Sequence, residues 1–135
     1  MLTAENITKK FSGVTALDNV CLELHAGKVN AILGENGAGK STLMKILSGV
    51  YQDYEGQILL HGQPVSFTGT RDAQNAGIAI IHQELNLIPY LSITENIFLG
   101  QEIETIFGTL DKKQMRLKTV QLLEKSKLNV APETK

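Results

Sequence analysis

Along the chain, short strand-like apolar runs alternate with stretches in which apolar residues recur at helical spacing. Residues 2–11 and 20–25 read as strands, with Ser12-Gly13 as the turn signal after the first. Gly27-Lys28 leads into Val29-Asn30-Ala31-Ile32-Leu33, an apolar run suited to a buried strand. Asn30 interrupts it, and an amide buried there needs a hydrogen-bonding partner. Further strands are expected over 57–60, turned by His61-Gly62, and over 78–81, where the run reads as buried.

The helical stretches carry their own punctuation. Residues 40–48 lack Gly and Pro and repeat apolar residues at helical spacing, with Gly49 where a helix C-terminus favours glycine. Residues 71–76 fit a short helix ended by Gly77. Ser92-Ile93-Thr94-Glu95 fits a capping box, the serine accepting from the backbone and the glutamate reaching back. Asp111-Lys112-Lys113-Gln114 offers the same device before a run reaching about Lys127, and Pro132 closes the pattern. Strand, loop, helix and strand in this order predict an α/β fold.

Between the 29–33 run and the helix at residue 40 lies Gly34-Glu35-Asn36-Gly37-Ala38-Gly39-Lys40-Ser41. It matches G-x-x-x-x-G-K-[ST] at every fixed position, with a candidate strand before it and a candidate helix after it. The chemistry requires these residue types. A phosphate chain carries several negative charges and is held by many donors at short range. Glycines let the backbone bend around it with N–H groups turned inward. A helix N-terminus adds the positive end of its dipole. Lys40 supplies a compact cation for the β- and γ-phosphates, and Ser41 a hydroxyl for Mg²⁺, which favours oxygen ligands. Nucleotide binding is the expectation. A GTPase would carry an Asn-Lys-x-Asp base-reading motif, and none occurs. A small-molecule kinase fits the length, but no substrate site is visible. An apolar strand ending in Asp should hold the metal. The nearest look-alike, Ile78-Ala79-Ile80-Ile81-His82-Gln83-Glu84, has no Asp.

Composition narrows the partners. The chain has 135 residues, 42% apolar and 20% charged, which are ordinary globular values. Thirteen basic and fourteen acidic side chains leave a net charge of −1, so there is no general electrostatic case for nucleic acid as a partner. Residues 111–135 carry 7 of the basic side chains, interleaved with apolar and amide residues, as on a solvated helix face. A single cysteine excludes an internal disulfide framework and fits a reduced compartment. Flanked by Val20 and Leu22, Cys21 reads as a small buried hydrophobe. The longest unbroken apolar run is four residues, Ile78 to Ile81, too short to span a bilayer.

Gly34 to Thr42, followed by Ile81-His82-Gln83-Glu84-Leu85-Asn86-Leu87-Ile88-Pro89, resembles the ATP-binding subunit of an ABC transporter. Leu91-Ser92-Ile93-Thr94-Glu95-Asn96-Ile97-Phe98-Leu99-Gly100 resembles the monosaccharide-import group of that family, as do Phe67-Thr68-Gly69 and Ala76-Gly77-Ile78. The resemblance implies a P-loop nucleotide-binding domain with an antiparallel β subdomain and the start of a helical subdomain. It implies that Phe11 stacks on adenine, with a strand-end core residue as the alternative. It implies that residues Gly34 to Ser41 cradle the phosphates, that Thr42 lies beside the α-phosphate, and that Gln83 reaches Mg²⁺ or orients the attacking water. It further implies membrane-spanning permease subunits, a second nucleotide-binding domain and, indirectly, a periplasmic sugar-binding protein as partners, at the cytoplasmic face of the membrane.

The family's signature motif, Leu-Ser-Gly-Gly-Gln or a variant, does not occur, nor do its acidic strand and switch histidine. Residues 1–135 are therefore expected to be the front part of one nucleotide-binding domain. Two readings follow: part of an ATPase subunit that powers import of a ribose-like monosaccharide, or a nucleotide-binding module without turnover of its own.

Overall fold

In a computed structural model, residues 1–82 and 87–135 are described, and they fall into two units, Met1–Ile81 and His82–Lys135. The first unit opens with a long hairpin, β1 (Leu2–Phe11) and β2 (Val14–Leu24). Ser12 and Gly13 both have positive φ, and Phe11 pairs with Val14, so the turn signal makes a two-residue loop. β3 (Glu55–Leu60) pairs with the other edge of β1, and β4 (Gln63–Val65) returns after the His61-Gly62 turn. The sheet is antiparallel throughout, in the order β2-β1-β3-β4.

The second strand is longer than the 20–25 expected, and irregular pairing explains why. Asn6 and Asn19 take left-handed φ values of 55° and 51°, and the register shifts beside them. Leu17 is buried and Val20 half-buried at a spacing of three, a pattern that a strict two-residue period misses. Ala4 and Ile7 are both buried at the same spacing in β1. Cys21 was expected to be buried, but it is exposed. Alternation places it on the face opposite Val20 and Leu22.

Helix α1 (Lys40–Leu47) turns Leu43, Ile46 and Leu47 inward, where they join Ala4, Ile7, Leu17 and Ile58 in one buried cluster. Gly49, at φ 74°, ends the helix as expected. Helix α2 (Thr70–Asn75) occupies the place predicted for 71–76 and is ended by Gly77 at φ 88°.

Two expected strands do not form. Residues 29–33 and 78–81 have no regular structure; Val29 is fully exposed, Leu33 is 90% exposed and Ile81 is 92% exposed. A buried strand needs hydrogen-bonding neighbours on its edges and cover on both faces, and none of the strands described pairs with either run. Asn30 is exposed too, but it does find partners. Its Oδ1 accepts from the His25 N–H at 3.1 Å, and its amide donates to the carbonyls of His25 and Lys28. The residue read as a buried interruption instead ties the turn that follows β2.

The second unit holds α3 (Ile93–Phe98) and α4 (Lys112–Lys125). The capping box on α3 is complete: the Ser92 N–H donates to Glu95 Oε2 at 2.8 Å, and the Glu95 N–H donates to the Ser92 hydroxyl at 3.3 Å. The Ser92 hydroxyl in turn donates to Glu95 Oε2 at 2.7 Å, and this bond, with the one from the Ser92 N–H, holds the Glu95 carboxyl below the usual range. Asp111 caps α4 by accepting from the Gln114 N–H at 2.9 Å, but its own N–H goes to the Ile103 carbonyl. The device at Asp111 is therefore a simple cap. Residues 130–135 run back to α3, where the N–H groups of Ile93 and Thr94 donate to the carbonyls of Thr134 and Pro132.

Candidate nucleotide-binding site

The glycine-rich loop joins the irregular 29–33 segment to the N-terminus of α1. Its two halves are held differently. At the helix end, Gly39 caps α1 with φ 82°, a conformation that favours glycine. A Cβ there would lie 2.5 Å from the Ala16 carbonyl oxygen and 2.7 Å from a Leu17 methyl, so the loop is seated tightly against β2. The Leu43 N–H donates to the Gly39 carbonyl at 2.9 Å and closes the first turn. Gly37 is also left-handed, at φ 86°, but stands in open space.

At the other end the loop closes on Lys40. The Lys40 ammonium donates to the Gly34 carbonyl at 2.7 Å and to the Glu35 carbonyl at 2.8 Å. The Ala38 N–H adds a turn bond to the Glu35 carbonyl at 3.2 Å. Lys40 therefore sits inside the arc formed by residues 34 to 39. Glu35, Asn36, Gly37, Ala38 and Ser41 are exposed, and Thr42 is half-buried. Eight consecutive residues expected to meet phosphate are thus brought together around one ammonium at a helix N-terminus.

Phe11 lies at the hairpin end of β1, half-buried, its ring 5.3 Å from that of Tyr51 at an interplanar angle of 67°. Lys9 is buried beside it: its Nζ is 4.7 Å from the Phe11 ring centroid and 5.5 Å from that of Tyr51. The same ammonium donates to the Asp53 carbonyl at 2.7 Å and meets Asp53 Oδ2 at 2.6 Å. The hydrogen bond from Lys9 holds the Asp53 carboxyl below its ordinary range. Sequence reasoning missed this cluster. The available signal was parity, since Lys9 is two residues beyond buried Ile7 on the same strand face. Gln83 lies outside the described residues.

The donor set bears on a metal. Ser41 offers a neutral oxygen on the exposed first turn of α1, the hard kind of donor Mg²⁺ takes. Among the described residues no three or more His, Cys, Asp or Glu side chains gather as a metal cluster. That set fits an ion carried in on phosphate oxygens, with the Ser41 hydroxyl as one protein ligand. When bound, Mg²⁺ would neutralise phosphate charge.

Comparison with known proteins decides the family. The model of the family described as ABC transporter matches residues 17–133. The chain belongs to the ABC transporter family. Among relatives of this ABC chain, the ribose import ATP-binding protein of Hahella chejuensis is 49% identical over 130 residues, which are 96% of this chain and 26% of that protein. The ribose import ATP-binding protein of Caldanaerobacter subterraneus subsp. tengcongensis is 53% identical over 123 residues, 91% of this chain and 25% of that one. The chain thus spans about a quarter of the length of these curated relatives. A nucleotide-free ATP-binding cassette from an ABC transporter superposes with a TM-score of 0.80 at 26% identity, covering 98% of this chain and 56% of that one. A second ABC transporter cassette gives 0.81 at 26% identity, covering 99% and 56%. The P-loop domain with its antiparallel sheet is therefore the ABC cassette fold.

Proposed function

We propose that the chain binds ATP as part of an ATPase subunit that powers import of a ribose-like monosaccharide across the cytoplasmic membrane. The observation that carries this reading is the closed arc of Gly34 to Gly39 around the Lys40 ammonium at the N-terminus of α1. A triphosphate offers Lys40 charged oxygens in place of two neutral carbonyls, and hydrogen bonds to charged acceptors are the stronger kind. Loop N–H groups turned toward a bound phosphate, and the helix dipole, would add to the same attraction. Residues Gly34, Glu35, Asn36, Gly37, Ala38 and Gly39 form the cradle, Lys40 meets the β- and γ-phosphates, Ser41 meets Mg²⁺, Thr42 lies beside the α-phosphate and Phe11 stacks on adenine. Gln83 reaches the metal or orients the attacking water.

Sugar import is supported by the names of the relatives, both ribose import ATP-binding proteins. The partners in this reading are permease subunits, a second nucleotide-binding domain and, indirectly, a periplasmic sugar-binding protein. The site of action is the cytoplasmic face of the membrane. Among the described residues no helix is long and apolar enough to cross a membrane. Titration of the chain with a fluorescent ATP analogue tests the nucleotide arm. Saturable, Mg²⁺-dependent binding that Lys40→Ala weakens at least tenfold supports it; equal binding by the two proteins overturns it. Deleting the gene tests the transport arm, by whether uptake of labelled ribose falls while uptake of unrelated solutes holds.

A further inference from the structure

The buried Lys9 ammonium is the least explained charge in the first unit. Its side chain is 3% exposed, whereas the side chain of its partner Asp53 is 86% exposed. Burying an ammonium carries a large desolvation cost unless hydrogen bonds and charge replace water. Asp53 supplies two of those replacements, one carbonyl and one carboxylate oxygen. The rings of Phe11 and Tyr51, at 4.7 and 5.5 Å, supply the rest. Tyr51 is fixed in turn, because its N–H donates to the Lys45 carbonyl at 3.2 Å and the Lys45 ammonium lies 5.7 Å from its ring centroid. Lys9 therefore ties the end of β1 to the segment that follows α1.

That arrangement leaves Lys9 out of reach of a ligand but sets the ring that a ligand would meet. The cation lies over one face of Phe11, and Tyr51 meets the same ring at 67°. Phe11 remains half-buried, so part of its surface is open. A cation on one side of a ring draws π density toward itself. The ring becomes a better stacking surface for an electron-rich purine on its other side, and it is held in one orientation.

We propose that Lys9 is a positioning residue that, anchored by Asp53, fixes and polarises the Phe11 ring as the stacking surface for the adenine base. The proposal rests on the reading of Phe11 as the adenine platform. Its effect belongs to the base and not to the phosphates.

The test is a double-mutant cycle on the full chain, using Lys9→Met and Phe11→Ala, with ATP and inorganic tripolyphosphate as the two probes. Lys9→Met keeps the apolar stem and removes the charge. It is expected to weaken ATP about three- to tenfold, a share of what one base–aromatic stack contributes to affinity. Tripolyphosphate affinity is expected to hold within about twofold, and Lys9→Met is expected to cost nothing further once Phe11 is Ala. Asp53→Asn, which removes the charge but keeps an amide oxygen and the backbone carbonyl for Lys9, should weaken ATP in the same direction by a smaller factor, and it decides the matter if Lys9→Met does not fold. Equal losses for both probes mean a structural clamp only and overturn the proposal. So does an Lys9→Met effect that persists in Phe11→Ala, or an Asp53→Asn protein that binds ATP unchanged. If Phe11→Ala itself leaves ATP binding intact, the platform reading has failed, whatever Lys9 does.

Discussion

Replacing Gly39 by alanine tests how the phosphate loop is seated. Gly39 and Gly37 have nearly the same backbone conformation, φ 82° and φ 86°. An L-residue in that region costs about 1–2 kcal/mol from contact between Cβ and backbone. Both substitutions carry that cost, and at Gly37, where a Cβ meets nothing within 4 Å, there is no other. At Gly39 the new Cβ would stand 2.5 Å from the Ala16 carbonyl oxygen and 2.7 Å from a Leu17 methyl, and the first of these is backbone that cannot swing aside. Forcing an extra carbon into a tight contact adds about 1–3 kcal/mol. Gly37→Ala should therefore destabilise the first unit by about 1–2 kcal/mol, and Gly39→Ala by about 2–5 kcal/mol. With a urea slope of about 1–3 kcal/mol per molar, the gap between the two midpoints should be on the order of 1 M. Tyr51 and Tyr54 lie in this unit, Tyr90 lies in the other and the chain has no tryptophan, so tyrosine fluorescence in a Tyr90→Phe background reads the first unit's transition. Coincident midpoints for the two variants would refute the seating of the loop on β2, and with it the claim that the hairpin positions the site.

Other expectations follow from the same contacts. Ser92→Ala removes the hydroxyl of the capping box and should cost about 1 kcal/mol of second-unit stability; carboxyl NMR should also show Glu95 titrating nearer its ordinary range, since Ser92 is the first cause of its depression. Asp53 has its carboxyl lowered by the Lys9 hydrogen bond, so its contribution is present above the unfolded carboxylate value and lost as pH falls through the lower folded one. Asp53→Asn should flatten that acid limb of the stability curve, and an unchanged limb would count against the ion pair. Steady-state phosphate release by the purified chain should match background; turnover that disappears in Lys40→Ala would overturn this. Amide exchange at Ala38 should be faster in Lys40→Ala without nucleotide, because its N–H donates to the Glu35 carbonyl and that turn loses the Lys40 bonds to Gly34 and Glu35.

What was legible in the sequence is what local spacing decides. The phosphate loop, the Ser12-Gly13 turn, the glycine ends of α1 and α2 and the capping box at Ser92 each depend on residues within a few positions of one another. The runs at 29–33 and 78–81 failed for the opposite reason. Their apolar content says that they would be stable if covered, but covering is a property of other segments, and the sheet β2-β1-β3-β4 includes neither run. The Lys9–Asp53 pair spans 44 positions, and no periodicity joins residues that far apart. Cys21 was misread within legible range, since strand alternation already opposes it to both apolar neighbours.

These differences bear on the site itself. The helix end of the loop is fixed by packing, because Gly39 has no room to move against Ala16 and Leu17, while Leu43, Ile46 and Leu47 bury the helix behind it. The strand end has less support: residues 29–31 and 33 are exposed, Ile32 is only half-buried, and Lys40 holds Gly34 and Glu35 through two hydrogen bonds. The cation expected to bind phosphate is therefore also the residue that keeps the loop in shape. A triphosphate must take those two donors away from the carbonyls, and it must supply in exchange charged oxygens that the loop N–H groups gather around. In the proposed reading, ligand and loop order each other through the one ammonium, and nucleotide affinity then depends on how well the 29–35 segment is held as well as on the eight residues of the loop.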